Sequence, residues 1–181
     1  MAARNRRSQI VFVLGGASSG KSDVALRLAL RGMKPRVSRA FVATGEGLDE
    51  EMAAKIARHR LSRSSEWKTA EVPIDLTGWL TAQAREYRVI VVDCLTMWLS
   101  NCCGRGMKDM EILRDVRAFL RAGRRATTRL VIVANELGMG LVPADPISRR
   151  FRDLAGAVNR LVAEEADCAY LVVSGLSVRL K

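Results

Sequence analysis

Short apolar runs alternate with stretches of helical spacing from one end of the chain to the other. Ile10–Leu14, Ala40–Ala43, Val89–Asp93 and Leu130–Asn135 read as strands, several with the unbroken hydrophobic character of strands covered on both faces. A weaker strand is expected near Ala70–Val72. Between them the spacing predicts helices from Lys21 to about Arg31, Asp49 to Arg63, Thr77 to Arg85, Leu95 to Cys102, Lys108 to Arg121 and Ser148 to Ala166. A loop, Glu136–Pro146, precedes the last helix. The end of the chain, AYLVVSGLSVRLK, reads as two strands turning at Ser174-Gly175, a terminal hairpin whose last strand runs antiparallel. Alternation of this kind predicts a three-layer α/β/α fold around a mostly parallel sheet.

No low-complexity linker or fixed-period repeat interrupts the series, so residues 1–181 are read as one domain, with 1–8 a ragged leader before the first strand. The apolar runs are far shorter than the roughly 20 residues a membrane-spanning helix needs. The basic start MAARNRRSQI lacks the cleavage pattern of an export signal. A cytoplasmic protein is the expectation.

Composition changes this picture little. Four cysteines, Cys94, Cys102, Cys103 and Cys168, form no C-x-x-C pair, and two are adjacent, which suits free thiols in a reducing compartment better than a metal site or disulfide framework. A net charge of +11 raises the question of nucleic acid. With aromatics at 5%, scattered basic residues and no reading motif, an anionic small-molecule substrate accounts for the charge as well, and nucleic acid is not the expected partner.

The candidate chemistry begins at GGASSGKS, residues 15–22, which satisfies G-x-x-x-x-G-K-[ST] between a strand and a helix. Glycines let backbone N–H groups wrap an anion, and the helix start adds partial positive charge. Gly15, Gly16, Ala17, Ser18, Ser19 and Gly20 would form the cradle. Lys21 would reach the β- and γ-phosphates, and the Ser22 hydroxyl would bind Mg²⁺. The fold expectation sharpens to a P-loop NTPase-like domain.

Asp93 closes an apolar strand, where ligands sit in open α/β sheets. It suits a carboxylate facing Mg²⁺ opposite Ser22, and it also suits an N-cap of the next helix. Asn135 and Glu136 close another strand, so polar groups at three strand ends point to one edge of the sheet as the active site. The only histidine, His59, shares a helical face with Met52 and Ile56, which favours a half-buried packing residue. Lys55, Arg58, Arg60 and Arg63 surround it. That charge pattern also suits a helix beginning Asp49-Glu50-Glu51, and chemistry alone leaves the neutral imidazole among arginines a weak candidate nucleophile.

Taken together, GGASSGKS, VATGEGLDEEMAAKIARHR, EWKTAEVP, VVDCLTMWLSN, NELGMGLVP, RRFRDLAGAVNR and LVVSGLSVRLK resemble the bifunctional adenosylcobinamide kinase/adenosylcobinamide-phosphate guanylyltransferases of cobalamin assembly, from Ile10 to Lys181. The resemblance implies two reactions: phosphorylation of adenosylcobinamide by ATP or GTP, then transfer of GMP from GTP to that phosphate through a guanylyl-histidine. It places the guanylyl group on His59. It implies nucleotide contacts at Gly15–Ser22, at Thr44, Gly45 and Glu46, at Arg60, Leu61, Ser62 and Arg63, and at Glu71 and Asp93. Mg²⁺ would sit between Ser22 and Asp93, and the chain would form a homo-oligomer, a trimer. Asp93 is Glu in some relatives, and Arg160 stands where a glutamine is expected. One phosphate loop for two chemistries leads to the expectation that the His59 segment moves, hinging at Gly45 and Gly47.

Overall fold

Seven strands form a single sheet in the order β3-β2-β4-β5-β1-β6-β7. A computed structural model describes residues 8–46 and 65–181. The expected helix Asp49–Arg63, and with it His59, Arg60, Leu61, Ser62, Arg63 and the hinge residue Gly47, lies outside the described residues.

The elements are β1 Gln9–Gly15, α1 Lys21–Leu30, β2 Arg39–Ala43, β3 Lys68–Glu71, α2 Leu76–Gln83, β4 Val89–Asp93, α3 Leu95–Gly104, α4 Asp109–Arg125, β5 Arg129–Asn135, α5 Pro146–Glu165, β6 Cys168–Val173 and β7 Leu176–Arg179. Six strands run parallel, and β7 folds back antiparallel on β6, pairing Val173 with Leu176. The turn uses left-handed backbone at Ser174 and Gly175. The P-loop NTPase-like fold and the terminal hairpin are as expected.

Alternating side chains divide the core in two. Ile10, Phe12, Ile90, Val92, Leu130 and Ile132 face α2, α3, α4 and α5, while Val11, Val13, Val89, Val91, Val131 and Val133 face the side that carries α1. Each large side chain buried this way contributes about 1.5–3 kcal/mol. Helix ends follow local chemistry. Asp75 accepts from Gly78 N–H and starts α2 one residue before the expected Thr77, and the helix tightens into a 3₁₀ turn at Ala84–Glu86. Pro146, whose missing N–H costs nothing at the first helical position, starts α5 with Asp145 as its cap. Arg129 donates to the carbonyls of Leu28, Ala29 and Arg31 and closes the C-terminal end of α1.

The expected weak strand at Ala70–Val72 lies earlier, at Lys68–Glu71, because an exposed edge strand carries little apolar signal. Trp67 and Trp98 are buried, and Trp79 stacks on Tyr87 with ring centroids 6.2 Å apart. All three tryptophans are packing residues.

The four cysteines are free thiols. Burial pushes the Cys102 thiol from 9.0 up to about 12. The unfolded chain therefore loses this proton at a lower pH than the folded one, and the associated stability is complete below pH 9 and lost as pH rises toward 12. Urea denaturation of the wild type and Cys102→Ala at increasing pH is expected to show the wild type losing its advantage above pH 9. A stability difference independent of pH over that range contradicts the assignment.

Candidate active site

The phosphate loop joins β1 to α1, and its shape is imposed by neighbouring strand ends. Glu136 N–H donates to the Gly15 carbonyl at 3.1 Å and Gly175 N–H to the Ser19 carbonyl at 2.8 Å. These tie the loop to the end of β5 and to the β6–β7 turn. Gly20 caps α1 with φ 83°, and a Cβ there would meet the Cα of Gly175 at 3.3 Å. A Cβ on Gly15 would stand 2.5 Å from Ser19 Oγ and 2.7 Å from the Val172 carbonyl. Gly15 is thus required by close approach to the Val172 carbonyl, and Gly20 is favoured by its left-handed backbone with Gly175 tight against it. Gly16, Ala17 and Ser18 are exposed, and Ser19 is buried with no hydrogen-bond partner for its hydroxyl. Lys21 Nζ donates to the Gly16 carbonyl at 2.9 Å, so the ammonium lies across the loop it is expected to serve.

Parallel pairing brings the other strand ends to the same edge. Gly15 is level with Asn135, and Asp93 with Val133, so Asp93 lies across β5 from the phosphate-loop strand. Asp93 and Lys21 both act electrostatically on Cys94, the carboxylate raising and the ammonium lowering its pKa. Burial is the larger cause and, with Asp93, pushes that thiol up to about 11, leaving it protonated at neutral pH. Cys94 is therefore no nucleophile here. It is also the N-cap residue of α3, although its side chain makes no capping bond, so the N-cap role expected of Asp93 falls one residue later.

Thr44 is fully buried. Its hydroxyl donates to the Cys94 carbonyl at 2.7 Å and accepts from Cys94 N–H at 2.9 Å, its own N–H donates to the Asp93 carbonyl, and its carbonyl accepts from Asn101 Nδ2. Thr44 thus locks the end of β4 to the end of β2. Asn101 reaches on to the Pro73 carbonyl, and Trp98 Nε1 donates to Ile74, so α3 clamps the segment after β3. Gly45 is half-buried, and Glu46 forms an ion pair with Arg105 at 2.7 Å, which holds the Glu46 carboxyl below its usual range. Glu71 is exposed at the end of β3.

Three polar residues of the site edge were not singled out from the sequence. Asn135 N–H donates to the Thr96 hydroxyl at 2.7 Å, its carbonyl accepts from Asn159 Nδ2 at 3.1 Å, and Asn101 bridges as above. Their only signal is polarity within the inward stripes of α3 and α5. Beside this network a groove of about 710 Å³ runs between the loop after β5 and α5, lined among others by Leu14, Glu136, Gly156 and Arg160.

Thr44→Val keeps the shape and removes the hydroxyl, leaving the Cys94 N–H without its acceptor and the Cys94 carbonyl with Trp98 N–H alone. A loss of about 1–3 kcal/mol in urea denaturation at pH 7 is expected. Full stability in this variant would mean that the Thr44 hydroxyl does not hold the end of β4.

With this geometry, the fold and the sequence can be set beside known proteins. Two solved structures share the fold at low identity. The flagellar accessory protein FlaH of Methanocaldococcus jannaschii aligns at TM-score 0.54 and 17% identity, covering 97% of this chain and 79% of its own. A KaiC-like protein of Pyrococcus horikoshii aligns at 0.53 and 11%, covering 91% and 71%. Sequence relatives are nearer. The bifunctional adenosylcobalamin biosynthesis protein CobU of Salmonella typhimurium is 38% identical over 95% of this chain and 99% of its own. CobP of Pseudomonas aeruginosa, described in the same words, is 38% identical over 94% and 96%. The family model for cobinamide kinase / cobinamide phosphate guanyltransferase matches residues 11–180, nearly the full span that carries the phosphate loop, Thr44, His59 and Asp93. The chain belongs to that family.

Proposed function

We propose that this protein phosphorylates adenosylcobinamide with ATP or GTP and then guanylylates the product with GTP. The observation that carries this reading is the family match across residues 11–180 combined with a phosphate loop, Lys21 and Asp93 gathered on one sheet edge.

In the first reaction, the hydroxyl of the aminopropanol arm attacks the γ-phosphorus. A new P–O bond forms, the β–γ bridging bond breaks, and the nucleoside diphosphate leaves with its electron pair. Backbone N–H groups of Gly15–Gly20 and the Lys21 ammonium stabilise the charge that moves onto the phosphate oxygens. The Ser22 hydroxyl and Asp93 carboxylate are hard oxygen donors of the kind Mg²⁺ selects and would hold the ion beside the phosphates. The ion would supply charge neutralisation on the phosphates.

In the second reaction, the His59 imidazole attacks the α-phosphorus of GTP. The N–P bond replaces the α–β bridging bond and pyrophosphate leaves. A phosphate oxygen of adenosylcobinamide phosphate then displaces the imidazole, giving adenosylcobinamide-GDP. Arg60 and Arg63 are assigned to charge on the α-phosphate, and Leu61, Ser62 and Glu71 to contact with the same nucleotide. Gly45 and Glu46 are assigned to contact with the nucleotide, and Thr44 acts there chiefly by fixing the Asp93 end of β4, since its own polar atoms are used within the protein.

Homo-oligomerisation, with a trimer the expected form, is supported by the edge strand β7, where Leu176 and Val178, with Leu180 just beyond, are more than half exposed among the described residues. Free thiols suit a cytoplasmic setting, and no described helix is long and apolar enough to cross a membrane.

GTP labelled at the α-phosphate tests the second reaction. A label stable to base and lost in acid is expected on the wild type, absent from His59→Asn, while His59→Asn retains kinase activity. Lys21→Ala is expected to lower the kinase rate about 10²-fold or more. Full labelling of His59→Asn removes the covalent step.

A further inference from the structure

We infer that the groove between the loop after β5 and α5 is the seat of the corrin macrocycle. This rests on the cobinamide reading above. The groove has a volume of about 710 Å³, within the range that holds sizeable organic ligands.

Its walls are the first argument. On the loop they are built at Gly138 and Gly140, and on the helix at Gly156 and Ala157. Neither wall projects a large side chain at these points, and a Cβ on Gly140 or Gly156 would meet nothing within 4 Å. The result is an open groove with room over its glycines for a ligand larger than a nucleobase.

Chemistry at the rim is the second. Val142, exposed on the loop, and Leu14, Ala157 and Ala163 in the lining offer apolar contact to a macrocycle face. Glu136, Arg152 and Arg160 add acceptors and donors around the groove. The corrin periphery carries carboxamides, each both donor and acceptor, so a mixed rim matches it where a purely acidic or basic one would not.

Position is the third. The groove reaches Leu14, the residue before the phosphate loop, and Glu136, whose N–H donates to the Gly15 carbonyl. A ring seated there has its aminopropanol arm next to the phosphates. Arg160 is part of the lining, which gives the departure from the expected glutamine a consequence for corrinoid contact.

Gly156→Phe fills the groove from an exposed helical position with no protein atom in the way, and helix propensity favours the change. Arg160→Glu alters the rim without filling it. Binding is read by calorimetry, with adenosylcobinamide in one titration and a β,γ-methylene nucleoside triphosphate in another, and circular dichroism verifies folding. Gly156→Phe is expected to weaken adenosylcobinamide about tenfold or more and Arg160→Glu to weaken it measurably, with nucleotide affinity unchanged in both. Unaltered corrinoid affinity in both variants, or weakened nucleotide binding instead, overturns the assignment while the cobinamide reading stands. A wild type that neither binds nor phosphorylates adenosylcobinamide overturns that reading and this inference with it.

Discussion

Two backbone hydrogen bonds, from Glu136 N–H to the Gly15 carbonyl and from Gly175 N–H to the Ser19 carbonyl, fix the phosphate loop between the end of β5 and the β6–β7 turn. An anion cradle made of peptide dipoles works only while those dipoles keep their direction, because its attraction is summed over several weak donors. Here that direction is set by the sheet. Gly15 sits so close to the Val172 carbonyl that no side chain fits, and Gly20, the left-handed N-cap of α1, stands tight against Gly175. The terminal hairpin is therefore part of the site's framework.

The opposite side of the edge is built with side chains. Thr44, Asn101 and Trp98 tie β2, β4 and the segment after β3 together through buried hydrogen bonds. Buried polar bonds of this kind are expensive to leave incomplete, so the ends of β2 and β4 are held as one unit. Asp93 belongs to that unit, and its field, with Lys21, is felt at Cys94. The chain from β2 onward leads into the segment that carries His59, so the clamp and the cradle are the two fixed supports available to both reactions.

Much of this was legible in the sequence where burial writes a continuous signal. β1, β4 and β5 are covered on both faces and appear as apolar runs, and the glycine spacing of residues 15–22 marks the cradle directly. Where exposure removes the signal, reading faltered: β3 lies two residues before its expected start, and α2 and α5 begin earlier than their apolar periodicity suggests, at Asp75 and Asp145 caps. Thr44 is read as a nucleotide contact from the resemblance of the turn after β2, and only the fold shows its hydroxyl bonded to Cys94. The groove was illegible, since residues near 138 and near 156 become facing walls only when α5 packs beside β1 and β5.

Both proposed reactions depend on a single phosphate-gripping edge serving γ- and α-phosphate chemistry alike. A β,γ-methylene analogue of the triphosphate used by the kinase, titrated against phosphorylation of adenosylcobinamide and against guanylyl labelling from GTP, tests this dependence most directly. Equal inhibition constants for the two reactions are the predicted result. An analogue that blocks phosphorylation while leaving labelling untouched at saturating concentration would contradict it.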